Sequence, residues 1–199
     1  MNQLFRSSGL RPTTQAAEGL ARRRWTVAEI EAATRAGIFD EDERFELIGG
    51  EIVPMNAKGI HHEVLKAALT YHFVRNTPDD IRFVPETTFR LSEDSFVEPD
   101  FVFFRKADGI AGLNPRTALL AVEVADSSLA WDLGRKALIY AGFGIPELWV
   151  IEAVSRKVHV HTRPGLEGYG EIVEVPDTGT LASRAVPGLS VVLAALDYF

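Results

Sequence analysis

The period of apolar and polar positions changes repeatedly along this chain of 199 residues, and each change marks an element. From Thr26, the stretch TVAEIEAATRAGIF has helical spacing, with Thr26 as N-cap, Glu29 at the capping-box position and Gly37 as the stop. Residues 44–54 (RFELIGGEIVP) are two short apolar runs around Gly49-Gly50, which predicts a hairpin with Glu46 and Glu51 on either side of a tight turn. Between Gly59 and Asn76, Ile60, Val64, Leu65, Ala68, Leu69 and Phe73 fall on one face of a longer helix that packs on a sheet. Residues 81–85 and 87–92 read as short strands, the second followed by the turn-rich SEDS. VEPDFVFF, residues 97–104, reads as one strand with Glu98, Asp100, Val102 and Phe104 on one face and Val97, Phe101 and Phe103 on the other. Pro99 lacks a ladder donor and marks a strand start or a bulge there.

The stretch from Ala118 to Glu152 parses as a buried strand, a capped helix and a second buried strand. Residues 118–125 are apolar except for Glu123, as in a central strand covered on both faces. The next helix starts at Asp126, Ser127 or Ser128 and ends near Gly142 as its C′ glycine. At 100° per residue Leu129, Leu133, Ala137 and Tyr140 form its inward stripe, with Lys136 on the edge of that stripe and Asp132 one turn before it. Trp131 and Leu138 fall outside the stripe and would pack on another element or on a partner subunit. Residues 146–152 and 157–162 read as two further strands, the second with His159 and His161 on a solvated outer face. A Gly-rich turn, a strand near 171–175 and a closing segment over 189–196 complete the chain, without internal repeats.

Three charges interrupt the apolar stretch, and a fourth stands just upstream of it. Glu123, Asp132 and Lys136 stand in apolar surroundings, where a charge is costly unless it is paired or bound to a metal. Asp100 enters the core from the preceding strand. Two carboxylates from neighbouring strands can share a hard cation such as Mg²⁺ or Mn²⁺, and a nearby lysine can orient or deprotonate a water bound to it. That chemistry suits phosphodiester hydrolysis. His61 and His62 diverge by about 100° as helix neighbours and cannot both ligate one ion, so they read as a capping or surface pair.

The order Pro99-Asp100, Val122-Glu123-Val124, Asp132-x-x-x-Lys136-x-x-x-Tyr140 and Pro146-Glu147-x-Trp149-x-Ile151 resembles the Uma2 family of restriction-endonuclease-like proteins, also called DUF820. Phe45-Glu46-Leu47-Ile48-x-Gly50-Glu51 and His61 extend the resemblance, which covers roughly residues 44–162. It implies the PD-(D/E)XK nuclease-like superfamily: an α/β (mixed α+β) fold whose restriction-endonuclease-like core is a central mixed β-sheet flanked by helices, here with an N-terminal β-hairpin extension. By the resemblance Asp100 and Glu123 match the metal-binding acids, and Glu46 the upstream acid, in a supporting role with His61, Asp132 and Tyr140. The superfamily's lysine usually stands two residues after the glutamate, where this chain has Ala125, and Lys136 is its replacement. Asp126 stands where the family commonly has serine.

The implied activity is an endonuclease dependent on Mg²⁺ or Mn²⁺ and acting on nucleic acid, DNA ahead of RNA. The alternative is a nuclease-fold protein that no longer catalyses and acts in binding or assembly, with the same charges as a structural ion-pair network. A two-carboxylate glycosidase ranks behind both, because a lysine stands beside the acids. A net charge of −7 excludes a general polyanion-binding surface, so any basic surface must be local. The basic arm over residues 1–24 and the pairs Arg105-Lys106, Arg135-Lys136 and Arg156-Lys157 are the candidates. The hydrophobic content of 46% suffices for one domain over residues 25–199. The absence of cysteine excludes disulfides and thiolate metal sites. With no signal-peptide pattern and no apolar run near the ~20 residues that span a bilayer, the expectation is a cytoplasmic protein without membrane contact. Trp131, Leu138 and uncovered strand edges suggest a homodimer.

Overall fold

The computed structural model describes residues 23–40 and 42–198, so most of the expected basic arm lies outside the described residues. The fold is mixed α and β around a central mixed sheet, as the resemblance implied. Its elements, in chain order, are α1 (Val27–Arg35), β1 (Phe45–Ile48), β2 (Glu51–Pro54), α2 (Ile60–Asn76), β3 (Ile81–Pro85), β4 (Phe89–Ser92), β5 (Ser95–Val97), β6 (Phe101–Arg105) and β7 (Ala118–Ala125). There follow α3 (Leu129–Trp131), a π-helix over Asp132–Lys136, α4 (Ala137–Gly142), β8 (Glu147–Glu152), β9 (Val158–Gly165), β10 (Gly168–Val175), β11 (Leu181–Ala182) and β12 (Ser190–Val191).

The central sheet has the order β10-β9-β8-β7-β6-β3, and β7 with β8 is its parallel pair. That pairing requires a crossover, which the helical stretch from Leu129 to Gly142 provides. Alternation along β7 sorts its residues between two layers. Val122 and Val124 pack with Leu65, Leu69 and Phe73 of α2, while Ala121 and Ala125 pack with Ala137 and Tyr140 of α4. Glu123 shares the parity of Ala121 and Ala125 and therefore points into the α4 layer. Phe73 anchors the opposite layer, with its ring edge-on to Phe101 and to Phe103 at 5.1 Å each.

A second sheet, β2-β1-β5-β4, packs with α1 through Val27, Ile30, Leu47 and Phe96. The capping box of α1 forms as the sequence indicated: Glu29 N donates to Thr26 Oγ1 at 3.2 Å, and Thr26 N donates to Glu29 Oε2 at 2.9 Å. The β1–β2 turn is made by Gly49 and Gly50, both at positive φ.

Four local expectations differ from the structure. The strand expected over 97–104 is two strands in different sheets, β5 and β6. Pro99 has no N–H to donate, and Glu98 N donates to the Glu46 carboxylate at 3.0 Å instead of to a ladder. The helix expected as one α-helix to Gly142 contains a π-turn over Asp132–Lys136, and its glycine at positive φ is Gly144. The solvated face expected for His159 and His161 is buried, because α4 packs over β9 and the Tyr169 side chain of the neighbouring strand β10 places its ring 5.6 Å from that of His161. On α2, Ile60 lies outside the buried stripe and is exposed.

The tight turn between β1 and β2 yields a graded prediction. A Cβ on Gly50 would meet Arg24 Cβ at 2.5 Å and the Trp25 backbone N at 3.0 Å, whereas one on Gly49 would meet only the far end of Arg24 at 3.7 Å. Urea unfolding is expected to show a loss of about 1 kcal/mol for Gly49→Ala, from left-handed backbone strain alone, and of about 2–4 kcal/mol for Gly50→Ala.

Candidate active site

Where β6 and β7 run side by side, Phe101 pairs with Val122, so Asp100 and Glu123 meet at the same level of the ladder. Asp100 lies just before β6, and its Oδ2 accepts from Val124 N at 2.8 Å. Its Oδ1 stands 3.0 Å from His62 Nε2 and 3.1 Å from Lys58 Nζ. Glu123 Oε1 accepts from the Tyr140 hydroxyl at 2.5 Å and lies 2.9 Å from Lys136 Nζ. The same ammonium lies 2.9 Å from Glu46 Oε1. Ser128 Oγ donates to Asp132 Oδ2 at 2.5 Å. Glu46, Asp100, Glu123, Asp132 and Lys136 are each 5% exposed or less, and all five line one cleft of about 540 Å³.

The π-turn explains how Lys136 comes to be buried. Widening the helix by one residue brings Asp132 and Lys136 onto the inner side together, where a regular helix would leave Lys136 on the stripe's edge. Trp131 also lines the cleft, and Arg135 stands exposed at its rim.

Electrostatics follow from this crowding. Burial would lower the pKa of Lys136, but Glu123, Glu46 and Asp132 overcome it and hold the ammonium charged well above its usual range. Burial pushes the Glu123 carboxyl well up; Lys136 opposes this, while Asp132, Asp100 and Glu46 add to the rise. The two directions conflict as a pair, since a protonated Glu123 would weaken the hold on Lys136. The geometry supports the ionised pair, because Lys136 and the Tyr140 hydroxyl both converge on Oε1. For Asp100, burial raises the pKa, but His62, Lys58 and the Val124 N–H outweigh it and bring the carboxyl to about 2. Asp132 is raised, chiefly by burial.

Of the four buried carboxylates, Glu46 and Glu123 thus share the buried Lys136, Asp132 is held by Ser128, and Asp100 is held by Lys58 and His62. Among the described residues, no three His, Asp or Glu side chains form a group that could hold a metal ion by themselves. Mg²⁺ and Mn²⁺ do not require three, since they keep several waters and take one or two carboxylates. The donors are all oxygen and carry excess negative charge, so they fit a hard divalent cation.

Of the residues singled out in the sequence, Asp100, Glu123, Lys136, Glu46 and Asp132 meet in this cleft, and Tyr140 holds Glu123 from the buried side. His61 does not; it is exposed on the first turn of α2, and the adjacent His62, expected on the surface, is buried against Asp100. A signal for His62 was present: with Leu65, Leu69 and Phe73 it continues the inward spacing of α2. Lys58 and Glu86 had no such signal, because both lie in loops. Glu86, at φ 47, contacts Lys58, Lys66 and Arg44. Glu147 has a different place from the cleft. Its Oε1 accepts from Trp149 Nε1 at 2.6 Å, and its Oε2 accepts from Ser183 Oγ and from the N–H groups of Arg184 and Ala185, which fastens the C-terminal segment to the sheet.

This architecture defines a restriction-endonuclease-like fold. The crystal structure of a DUF820 protein from Anabaena variabilis, described as a "putative nuclease", has a TM-score of 0.66 with 15% identity, and the match covers 85% of this chain and 96% of that chain. Residues 27–196 match the Uma2 family, described as "Putative restriction endonuclease", and the chain belongs to that family. Comparison with curated proteins gives no match. No helix among the described residues is long and apolar enough to cross a membrane.

Two predictions come from these contacts. Lys136→Met leaves Glu46 and Glu123 buried without their cation and is expected to cost roughly 3–5 kcal/mol in denaturant unfolding; adding Glu46→Gln and Glu123→Gln should recover part of that loss. Glu86 is drawn upward by burial, but Lys58 and Lys66 bring it from 4.5 down to about 2. Its folded pKa is below its ordinary one, so its stabilising effect is complete above pH 4.5 and fades as pH falls toward 2. The stability gap between the native chain and Glu86→Gln should be widest above that window and close within it, as read from thermal unfolding across pH.

Proposed function

We propose that this protein is a divalent-metal-dependent endonuclease that hydrolyses phosphodiester bonds, with DNA rather than RNA as the substrate class in keeping with its family's description. The observation that carries this reading is the convergence of Asp100, Glu123 and Lys136 from three elements on one cleft. Asp100 and Glu123 would hold Mg²⁺ or Mn²⁺, which when bound supplies positive charge for the phosphoryl oxygen and acidifies a water. Lys136 keeps its proton and presents a fixed ammonium beside Glu123, where it orients the attacking water. Glu46 holds the other side of that ammonium, and the Tyr140 hydroxyl fixes the Glu123 carboxylate. Asp132 steadies the π-turn through Ser128, and Arg135 at the rim meets phosphates of the incoming strand. His62 fixes Asp100 from α2 without contacting substrate.

A second reading rests on the pairing already present: Lys58 and His62 satisfy Asp100, and Lys136 satisfies Glu123, as in a structural network of a binding or assembly protein. One experiment separates the two. Purified protein is incubated with plasmid DNA and with RNA, in Mg²⁺, in Mn²⁺ and in EDTA. Metal-dependent cleavage that falls at least about a hundredfold in Glu123→Gln, with the variant folded, is expected. Cleavage that survives in Glu123→Gln, or none by the native chain in either metal, overturns the nuclease reading in favour of the network.

A further inference from the structure

Lys58 occupies an unusual position. It lies in the loop between β2 and α2, yet its side chain is only 14% exposed and points across the cleft at Asp100. The loop is seated by close approach to the end of β7: a Cβ on Gly59 would come 2.3 Å from Asp126 Oδ2. Glycine at 59 therefore lets the loop close, and closing brings Lys58 down to Asp100.

A carboxylate oxygen has two lone pairs. On Asp100 Oδ1 both are engaged, one by His62 Nε2 at 3.0 Å and one by Lys58 Nζ at 3.1 Å, while Oδ2 already accepts from Val124 N. A cation that binds Oδ1 must displace one of the two. His62 is buried on a rigid helix, and its other ring nitrogen stands 3.1 Å from Glu63. Lys58 sits on a flexible stem and already touches a second carboxylate, Glu86. Glu86 is held at φ 47, a left-handed conformation that a glutamate rarely adopts, and its backbone N–H donates to Asp100 O at 3.3 Å. The landing place is thus built next to the site.

We propose that Lys58 is a tethered counter-ion that bridges Asp100 and Glu86, holds the metal's place at Asp100, and leaves Asp100 to stay on Glu86 alone when a divalent cation binds. The proposal rests on the reading of Asp100 and Glu123 as metal ligands given above. Two consequences distinguish Lys58 from a merely structural lysine. It competes with the cation, so its removal tightens metal binding. Glu86 keeps hold of it, so neutralising Glu86 leaves Lys58 to Asp100 and weakens metal binding although Glu86 touches no metal.

The test is isothermal titration of Mn²⁺ into the full chain without nucleic acid, with the metal-induced rise in Tm as a second readout taken against each variant's own metal-free Tm. Lys58→Met is expected to bind Mn²⁺ about tenfold more tightly, the scale of one lost charged hydrogen bond, and Glu86→Gln about threefold more weakly. Asp100→Asn should weaken binding in every background. Equal affinity in the native chain, Lys58→Met and Glu86→Gln, with Asp100→Asn still weakening it, overturns the exchange and leaves the metal site standing. Mn²⁺ binding that is absent, or indifferent to Asp100→Asn, overturns the metal site itself and the exchange with it. Should Lys58→Met fail to fold, Lys58→Gln takes its place, and in either background Glu86→Gln is expected to leave Mn²⁺ affinity unchanged; a weakening that persists without Lys58 is the direct field of Glu86 and overturns the exchange.

Discussion

The Lys136 ammonium, shared between Glu46 and Glu123 at 2.9 Å each, is the contact on which the site depends. It joins three parts of the fold: the hairpin sheet through β1, the central sheet through β7, and the crossover through its π-turn. Apolar packing already links them, since Ala137 and Tyr140 of the crossover share a core with Ala121 and Ala125 of β7 and with Phe89 and Leu91 of β4, but no apolar core contains the charges. The cluster sits where the parts meet. Removing one partner there leaves the others buried and unmatched, so the positions of Glu46, Glu123 and Lys136 constrain one another more tightly than packing alone would.

The central sheet explains why the acids arrive together. β6 and β7 are antiparallel neighbours, so a residue just before β6 must lie beside the end of β7. Pro99 ends the preceding strand and Glu98 gives its N–H to Glu46, so the chain turns from one sheet into the other just where Asp100 stands. A backbone break, a side-chain acceptor and a ladder register together aim one carboxylate.

Much of this was legible in the sequence, for a physical reason. Glu123 stood out because β7 is otherwise apolar, and Lys136 because it borders an apolar stripe; a charge is conspicuous when its neighbours predict burial. The hairpin at Gly49-Gly50 and the capping box at Thr26 were legible because turn and cap chemistry are local. The π-turn was not, since a widened turn exists only when buried partners draw Asp132 and Lys136 inward together. The burial of His159 and His161 was hidden for a similar reason: alternation distinguishes the faces of a strand but does not show that a helix covers the polar one. His62 lay in plain periodic register with Leu65 and Leu69, and was obscured by the neighbouring His61. Lys58 had no periodicity to reveal it, because a loop residue is placed by what its loop closes against.

The same charges have two demands on them. As a folded core, the cluster is stable when every carboxylate has a cation or a donor, and on the Asp100 side that condition is already met by Lys58, His62 and the Val124 N–H. On the proposed reading as a site for a divalent ion, it would have to give one of those partners up. A fully rigid network would exclude the ion, and a loose one would leave acids buried without compensation at a cost the fold could not bear. The distribution of stiffness resolves the conflict: Lys136 and His62 come from helical segments and are fixed, whereas Lys58 comes from a loop and has a second carboxylate within reach. In the proposed exchange, the partner that would leave is therefore Lys58, the one already held by a second carboxylate.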